Sequence, residues 1–370
     1  MIKPVLLSII LLPLLLSPAI PSEPDGLTVM FWNLENFFDY FDGGSGESDA
    51  EFSSRGARHW TKKRFLTKCN AIAKTILWLS SPAPSVAPAT DGLPDIVAFA
   101  EVENRFVLRR LLSETALKKL DYQIVHYESP DPRGIDCALL YRRSRFQLLS
   151  SKPCPVALPQ DTTSTSSTSP SSSTSPSFST GDTLRTRDIL LAQFLTPSGD
   201  SLAVLVNHHP SKYGGGETDW RREIAIGRLR DLSDSLAAEG WLDQIALGDF
   251  NDTPDNPLFS RLSSALTLCR YGNALSSAAS FAGRPPRVSD RQLPRGSIRF
   301  NGEWQLIDLC FASPAMASRC SFRAVAVPFL TERDAAHSGD KPLRTYSGPR
   351  YLGGVSDHLP ILVTILSTSL

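Results

Sequence analysis

The 370-residue sequence has no net charge, because its 38 lysines and arginines are balanced by 38 aspartates and glutamates. A neutral chain creates no general field that would attract a polyanion, although a local basic cleft stays compatible with this balance. The hydrophobic content of 41% and the charged content of 21% are ordinary for a globular protein. Composition therefore indicates a folded chain and does not by itself indicate a partner.

Metal-binding cysteine motifs are also absent. The six cysteines are widely spaced, and no pair has the short separation of a zinc site. Cys69, Cys137 and Cys310 lie in apolar helix or strand patterns, where a buried free thiol is expected. An exported protein with an even number of cysteines could pair them, and the sequence leaves this pairing open.

Long hydrophobic runs are missing except at the N terminus. Residues 5–16 are almost entirely apolar, follow Lys3, contain Pro13 and precede small residues, which is typical of a secretory signal peptide over residues 1–22. An uncleaved membrane anchor is the alternative, but the run is short for a bilayer span. We expect a secreted or periplasmic protein with a single domain over residues 23–370.

Residues 160–182 consist almost entirely of Ser, Thr and Pro. Such a composition cannot bury a hydrophobic core, so this segment is predicted to be disordered. Strand patterns resume on both sides of it. We therefore interpret it as a loop inserted into one domain.

Apolar runs that predict strands outnumber the segments that predict helices. Strands are predicted at residues 27–32, 95–101, 122–127, 137–141, 188–195, 202–207, 245–247, 306–311 and 361–365. One helix is predicted to begin at Thr61 and another at about Asp219. A third is predicted to follow Asn104 as its N-cap, with an apolar face that includes Leu120. Residues 39–58 are predicted to form an exposed loop. Some strands are joined directly and others through helices, which favours mixed sheets with helices outside. Because the strand runs are apolar on both faces, two sheets are expected to pack face to face.

The segment Gly-Asp-Phe-Asn at residues 248–251 is the strongest local signal of chemistry. It directly follows a buried strand, and Asp249 and Asn251 are two residues apart, which places both on one face of an extended chain. A carboxylate and an amide in this arrangement can take a proton from water and hold that water. An ordinary Asp-rich turn is the alternative reading of this segment.

Other predicted strands also carry polar residues of catalytic type. Asn33, Glu35, Glu101 and His208 lie where strands end. Asp308 lies inside the run at 306–311, and Asp357 and His358 precede the last strand. Each one alone has an ordinary explanation, such as a helix cap or a turn. The repetition of the pattern across the chain is what indicates a functional site.

Six short motifs occur in a fixed order along the chain. They are Asn-Leu-Glu-Asn at 33–36, Asp-Ile-Val-Ala-Phe-Ala-Glu at 95–101, Asn-His-His-Pro-Ser at 207–211, Gly-Asp-Phe-Asn at 248–251, Leu-Ile-Asp at 306–308 and Ser-Asp-His-Leu-Pro at 356–360. This series resembles the endonuclease/exonuclease/phosphatase family, which has the deoxyribonuclease-I-like fold. Residues 133–136, 187–190 and 302–304 further resemble an exported bacterial branch. The resemblance implies an α/β four-layer sandwich, with two mixed β-sheets flanked by helices.

The resemblance also implies a metal site that holds Mg²⁺, with Mn²⁺ or Ca²⁺ as alternatives. Glu101 would be the principal ligand. Asn33, Glu35 and Asp357 would complete or support the ligand set. The chain's own chemistry agrees, because oxygen ligands without a cysteine cluster suit hard cations rather than zinc.

The catalytic roles are likewise implied by the resemblance. Asp249 would deprotonate the attacking water, and Asn251 would position it or the phosphate. His358 would contact the phosphoryl oxygens, and Asp308 would fix its tautomer. His208 and Ser211 would line the scissile phosphate.

Arg133 has two interpretations. It could bind the phosphate, because the Arg-Gly-Ile-Asp segment precedes a predicted strand and a guanidinium matches a phosphate. The alternative is a salt bridge with Asp136.

Together these features predict a secreted, metal-dependent hydrolase of phosphate esters, with a phosphodiesterase or endonuclease as the first choice. A phosphatase or a phospholipase-type enzyme that acts on sphingomyelin or inositol phosphates is the second. A non-catalytic binding protein is the third. The expected partner is a phosphate-ester substrate, which could be nucleic acid. No stable protein partner is predicted, and a monomer is expected.

Overall fold

Two β-sheets packed face to face form the centre of the molecule in a computed structural model, which describes residues 26–43, 47–79, 92–156, 186–212, 219–272 and 295–367. The predicted signal peptide at 1–22 and the predicted loop at 160–182 lie outside the described residues. None of the helices in the described ranges has both the length and the hydrophobicity needed to cross a membrane.

The strands are short and numerous. In chain order they are β1 (Leu27–Phe37), β2 (Ile96–Val102), β3 (Tyr122–His126), β4 (Asp136–Arg142), β5 (Gln147–Cys154), β6 (Ile189–Leu195), β7 (Ser201–His208), β8 (Asp243–Asp249), β9 (Thr267–Leu268), β10 (Arg270–Tyr271), β11 (Ile298–Phe300), β12 (Glu303–Gln305), β13 (Asp308–Ala312), β14 (Cys320–Ala324), β15 (Thr331–Arg333), β16 (Asp340–Pro342), β17 (Tyr346–Ser347), β18 (Arg350–Tyr351) and β19 (Ile361–Ile365).

Three longer helices lie between these strands, together with shorter ones. The α-helices are α1 (Glu47–Phe52), α2 (Lys62–Leu79), α3 (Arg105–Glu114), α4 (Asp219–Ala238) and α5 (Pro314–Ala317), and 3₁₀ turns occur at Ala116–Lys119, Pro257–Leu262 and Pro328–Leu330. The predicted cap of α3 is confirmed, because Asn104 Oδ1 accepts a hydrogen bond from the Val107 N–H at 3.1 Å.

Both large sheets are mixed. The first has the order β10-β14-β19-β1-β2-β4-β3, and the second has the order β5-β6-β7-β8-β13-β9. In the first, β1 is parallel to β2 and antiparallel to β19. In the second, β7 is parallel to β8, while β6 and β7 form an antiparallel hairpin.

The hydrophobic core has two parts. One fills the space between the sheets and continues to α4, with Phe31, Leu205 and Leu229 among its buried members. The other lies between the outer face of the first sheet and helices α2 and α3, with Trp32 and Phe65 among its members. The α/β class with two mixed sheets and outer helices, predicted from the strand pattern, is therefore confirmed.

Several predicted boundaries differ from the structure. Residues 39–58 were expected to be a loop, but they contain α1. Helix α3 ends at Glu114, so Leu120 lies beyond it. Strand β13 begins at Asp308 rather than at residue 306, although the bond from the Phe250 N–H to the Ile307 carbonyl extends the register of its pairing with β8 by one residue.

Gly248 is required by the close approach of β7 and β8. A Cβ atom at this position would lie 2.0 Å from the Asn207 carbonyl oxygen, well inside van der Waals contact. The clashing atom belongs to the backbone of β7, which cannot move aside without breaking the hydrogen bonds between β7 and β8. The glycine thus lets the end of β8 lie against β7.

We expect Gly248→Ala to destabilise the fold by about 1–3 kcal/mol, the usual cost of overpacking a core. Gly227→Ala is the matched control, because Gly227 lies in α4 with open space around its Cα. That substitution should be neutral or slightly stabilising, since alanine favours helix. Urea denaturation of both variants measures the difference, and equal stabilities would contradict this account.

Candidate active site

The register of three neighbouring strands places three polar residues at one level of the second sheet. Asp249 is paired with His208 across β7 and β8, and with Asp308 across β8 and β13. All three side chains are buried. Residues paired in this way share one face of a sheet, so an imidazole and two carboxylates stand side by side.

Asp249 is held by hydrogen bonds on both carboxylate oxygens. Its Oδ1 accepts the Asn251 N–H at 2.9 Å, and its Oδ2 accepts Asn33 Nδ2 at 3.0 Å. Burial, with the nearby Asp308 charge, raises the pKa of Asp249 to about 7, against the opposing effect of His358. A carboxylate with this pKa can both accept and release a proton near neutral pH.

His358 reaches the same place from the loop before β19. Its Nδ1 lies 2.7 Å from Asp308 Oδ2, and its Nε2 lies 3.8 Å from Asp249 Oδ2. Burial alone would lower the pKa of His358, but the carboxylates of Asp308 and Asp249 outweigh it and hold the pKa well above its ordinary value. The imidazole is therefore cationic at neutral pH, with Nε2 directed toward Asp249.

The loop that carries His358 is fastened to β1. Trp32 Nε1 donates to the His358 carbonyl at 2.9 Å, and the Ser356 hydroxyl donates to the Asn33 carbonyl at 2.6 Å. Ser356 Oγ also accepts the His358 N–H at 2.9 Å. These buried bonds hold the loop against the first sheet, to which both β1 and β19 belong, and limit the freedom of the histidine.

Backbone irregularity directs two carboxylates into the same region. The parallel pairing of β1 with β2 shifts register between Asn33 and Phe37, so a bulge interrupts it. Glu35, Asn36 and Glu101 adopt left-handed conformations there, with φ of 45°, 60° and 60°. Such conformations are costly for non-glycine residues and often occur at functional sites.

Glu35 and Asp357 are linked by one arginine. Arg344 Nη2 lies 2.7 Å from Glu35 Oε1 and 3.1 Å from Asp357 Oδ2. The two carboxylates are thus close enough to share a single cationic group. About half of the Arg344 side chain is exposed, so the guanidinium also faces solvent.

Glu101 lies between this pair and Asp249. Its Oε2 accepts the Asn36 N–H at 2.8 Å, and its Oε1 is 3.7 Å from Arg133 Nη2. His208 Nε2 lies 3.8 Å from Glu101 Oε1 and 3.7 Å from Asp249 Oδ2, which joins both halves of the site. Burial and then neighbouring cations, including Arg133, hold the pKa of His208 well below its ordinary value, so this imidazole is neutral.

The donor set at this edge fits a hard divalent cation. Burial and then the Asp357 charge raise the pKa of Glu35 to about 7, even though Arg344 and Lys68 oppose them, so a bound cation would stabilise this carboxylate. Glu35, Glu101 and Asp357 offer carboxylate oxygens, which suit Mg²⁺, Mn²⁺ or Ca²⁺. Asp249, Asp308 and His358 also offer three ligand atoms within 4.8 Å of one another. We interpret this second group as a hydrogen-bonded array rather than a metal site, because His358 Nδ1 makes a short hydrogen bond to Asp308.

Three residues to which the sequence analysis gave a role at the phosphate have other surroundings in the structure: Asn251, Ser211 and Arg133. Asn251 Nδ2 donates to the His209 carbonyl at 2.9 Å, so this amide helps fix the strand end. Ser211 is exposed, two residues beyond that histidine. The suggested salt bridge between Arg133 and Asp136 is wrong, because Arg133 faces Glu101 and Asp131, while Asp136 pairs with His126.

Two residues of the site were missed from the sequence. Arg344 follows a Lys-Pro-Leu segment without a recognisable pattern. Lys68 is fully buried in α2 and donates to the Glu35 carbonyl at 2.8 Å and to Thr345 Oγ1 at 3.0 Å. Its position three residues after Phe65 and four before Ile72 puts it on the apolar face of the helix, and this periodicity was the available signal.

The sequence and fold now define the class of protein. Residues 28–367 match the endonuclease/exonuclease/phosphatase family, so the chain belongs to this family. No curated protein sequence matches the chain.

Solved structures share the same fold at low sequence identity. The human Nocturnin catalytic domain with bound sulfate is 16% identical with a TM-score of 0.51, and the match covers 93% of this chain and 95% of that one. A mannosyl-6-phosphatase of Bacteroides thetaiotaomicron is 16% identical with a TM-score of 0.51, over 92% and 99% of the two chains. Truncated TDP2 of Caenorhabditis elegans is 16% identical with a TM-score of 0.50, over 92% and 97%. These similarities establish the deoxyribonuclease-I-like fold.

We expect Asp308→Asn to lower the pKa of His358 by roughly one to three pH units, the usual effect of removing an adjacent opposite charge. NMR titration of the histidine ring measures this without any substrate. Asp334→Asn is the control, because Asp334 lies 3.3 Å from a different histidine, His337. An unchanged titration of His358 in Asp308→Asn would show that Asp308 does not stabilise the cation.

Proposed function

We propose that this protein hydrolyses phosphate esters with a divalent metal, using a water molecule activated by Asp249. The observation that carries the proposal is the environment of this carboxylate. It is buried, held through both oxygens, and has a pKa raised to about 7. Phosphoester hydrolysis in general agrees with membership of the family.

The attacking water would lose its proton to Asp249. The carboxylate has few rotational options, because Asn33 and Asn251 each fix one oxygen. A base held in place and tuned near the working pH contributes typically about 10²–10⁴-fold to a rate. Asn251 would keep the backbone at the strand end in position.

The phosphoryl group would meet positive charge from three sides. His358 is kept cationic by Asp308, and the partly exposed Arg133 and Arg344 stand beside the metal-site carboxylates. Fixed donors directed at developing negative charge are worth roughly 3–4 kcal/mol each in comparable sites. The neutral His208 can donate one hydrogen bond to the same group.

Glu101 would be the main ligand of the metal, with Glu35, Asp357 and Asn33 completing or supporting the site. When bound, a divalent ion neutralises charge on the phosphoryl oxygens during displacement. Arg344 would then exchange its contacts with Glu35 and Asp357 for contacts with the phosphate. We take Mg²⁺ as the first choice of ion.

A phosphodiester, such as the backbone of nucleic acid, is the first choice of substrate. A phosphate monoester is the second, and a specific observation favours it. Two guanidinium groups, Arg133 and Arg344, flank the carboxylates with about half of each side chain exposed. Such a pair matches the extra negative charge of a monoester. One structural neighbour is itself a mannosyl-6-phosphatase.

We also infer export from the N-terminal apolar segment, and we propose that the protein acts as a monomer in the periplasm or outside the cell. Cleavage after about residue 22 would be visible by N-terminal sequencing of the mature protein.

The decisive experiment measures product release from plasmid DNA, RNA, sphingomyelin, inositol phosphates and sugar phosphates, with Mg²⁺ and with a chelator. Wild type should cleave at least one class only with the ion. Asp249→Asn should lower kcat about 10³-fold, because the amide of asparagine cannot act as a base and take the proton of the attacking water. Asp231→Asn, an exposed change on α4, should behave as wild type.

The pH profile of the same reaction gives a second readout. Since Asp249 must be ionised to act as a base, kcat/KM should rise as the pH increases through about 7. Equal activity of wild type and Asp249→Asn on every substrate would favour a non-catalytic binding protein on this fold.

A contribution of Arg344 to substrate binding is tested separately. Arg344→Met should raise KM about tenfold or more, since a hydrogen bond to a charged group contributes about 1.5–3 kcal/mol. Arg344→Lys should restore part of this loss. Arg350→Met is the control, because Arg350 is an exposed arginine on the neighbouring strand β18. An unchanged KM for Arg344→Met would exclude direct contact with the substrate.

A further inference from the structure

Three cysteines from separate segments of the chain, none of them part of the six motifs, converge between the two sheets. The sulfur atoms of Cys269, Cys310 and Cys320 all lie within 4.8 Å of one another. All three side chains are buried and belong to the core between the sheets. All six cysteines of the chain are free thiols in this structure.

The strand register explains why these thiols meet. Cys269 is the single residue between β9, at the edge of the second sheet, and β10, at the edge of the first. Its N–H donates to the Cys310 carbonyl at 2.9 Å, which places it opposite Cys310 on β13. On the other side, β10 pairs with β14 so that Arg270 faces Ser321, and Cys269 is therefore next to Cys320. The cluster marks the point where the chain crosses from one sheet to the other.

The surroundings favour a disulfide over a metal ion. A thiolate-bound metal would leave net charge in a buried, apolar place, which is costly without a partner. Within the described ranges, no fourth histidine, cysteine or carboxylate joins the three sulfurs. A disulfide is neutral and needs only two of the thiols. Strand pairing places Cys269 beside both Cys310 and Cys320, at the Cα separation that a disulfide spans.

We propose that Cys320 forms a disulfide with Cys269 or Cys310 and so joins the two sheets covalently. Of the three cysteines, Cys320 lies in the first sheet. A disulfide between Cys320 and Cys310 would therefore connect the two sheets directly. A disulfide between Cys320 and Cys269 would fix the segment in which the chain crosses from one sheet to the other. The third thiol stays reduced and adjacent.

The chemistry follows ordinary thiol–disulfide exchange. The Cys320 thiolate attacks one sulfur of a disulfide oxidant such as oxidised glutathione, and one glutathione thiolate leaves. The second cysteine then loses its proton and attacks the Cys320 sulfur of the mixed disulfide, which releases the second glutathione. Once the strands of the cluster have paired, hydrogen bonds from Cys269 and Cys310, with help from Arg319, lower the pKa of the Cys320 thiol to about 5. Because the thiols are buried in the folded state, the reaction belongs to folding in an oxidising compartment.

The test uses the full chain refolded in a glutathione redox buffer. Alkylation under denaturing conditions, followed by mass spectrometry, should find two of the six cysteines linked and four labelled. Peptide mapping should place Cys320 in the linked pair. A reductant should then lower the melting temperature of wild type and of Cys137→Ser, a change of a buried thiol elsewhere, but not of Cys320→Ala.

The mapping needs only wild-type protein, so a variant that fails to fold does not block the test. Six labelled thiols after refolding would overturn the proposal. A Cys269–Cys310 pair would overturn it as well, and so would stoichiometric thiol-bound zinc or copper without a disulfide. None of these results depends on the phosphate-ester activity.

Discussion

The hydrogen-bonded contacts around Asp249 are the constraint on which the rest of the site depends. A buried carboxylate is tolerated only where donors and a cation compensate for lost hydration. Here Asn33 comes from one sheet, Asn251 from the strand end, and the His358 cation from a loop fastened to β1. The site therefore holds the two sheets in register with each other, and the sheet packing in turn fixes the site.

Much of this arrangement could be predicted from the sequence because it is local. Each motif combines an apolar run with a polar residue at or next to its end, and the order of the motifs matches one family. Strands that lack this pattern were missed. Strand β5 lies at a sheet edge, is mostly exposed and contains Pro153, so it shows no hydrophobic alternation. The short strand β14 alternates Cys, Ser, Phe and Arg too briefly to stand out.

The charges that complete the site were harder to predict, since their partners are distant in sequence. Lys68 lies in a helix more than thirty residues from Glu35 and is buried only because that helix covers the β1 bulge. Burial lowers the pKa of Lys68 to about 8, a sign that the carboxylates nearby only partly compensate it. A lysine in an amphipathic helix is ordinarily exposed, so its role follows from the packing and not from composition.

A chain with no net charge can thus carry a strongly charged site. Around the bulge, Glu35, Glu101 and Asp357 face Lys68, Arg133 and Arg344, and the two sets roughly balance. An added divalent cation alone would leave this cluster positive. A phosphodiester bound together with it would offset part of that charge, and a phosphate monoester nearly all of it. Binding of the ion and of the substrate would then be coupled, because each one would reduce the electrostatic cost of the other. The arginines therefore serve the site without the ion as well, by keeping the carboxylates gathered before the ligands arrive.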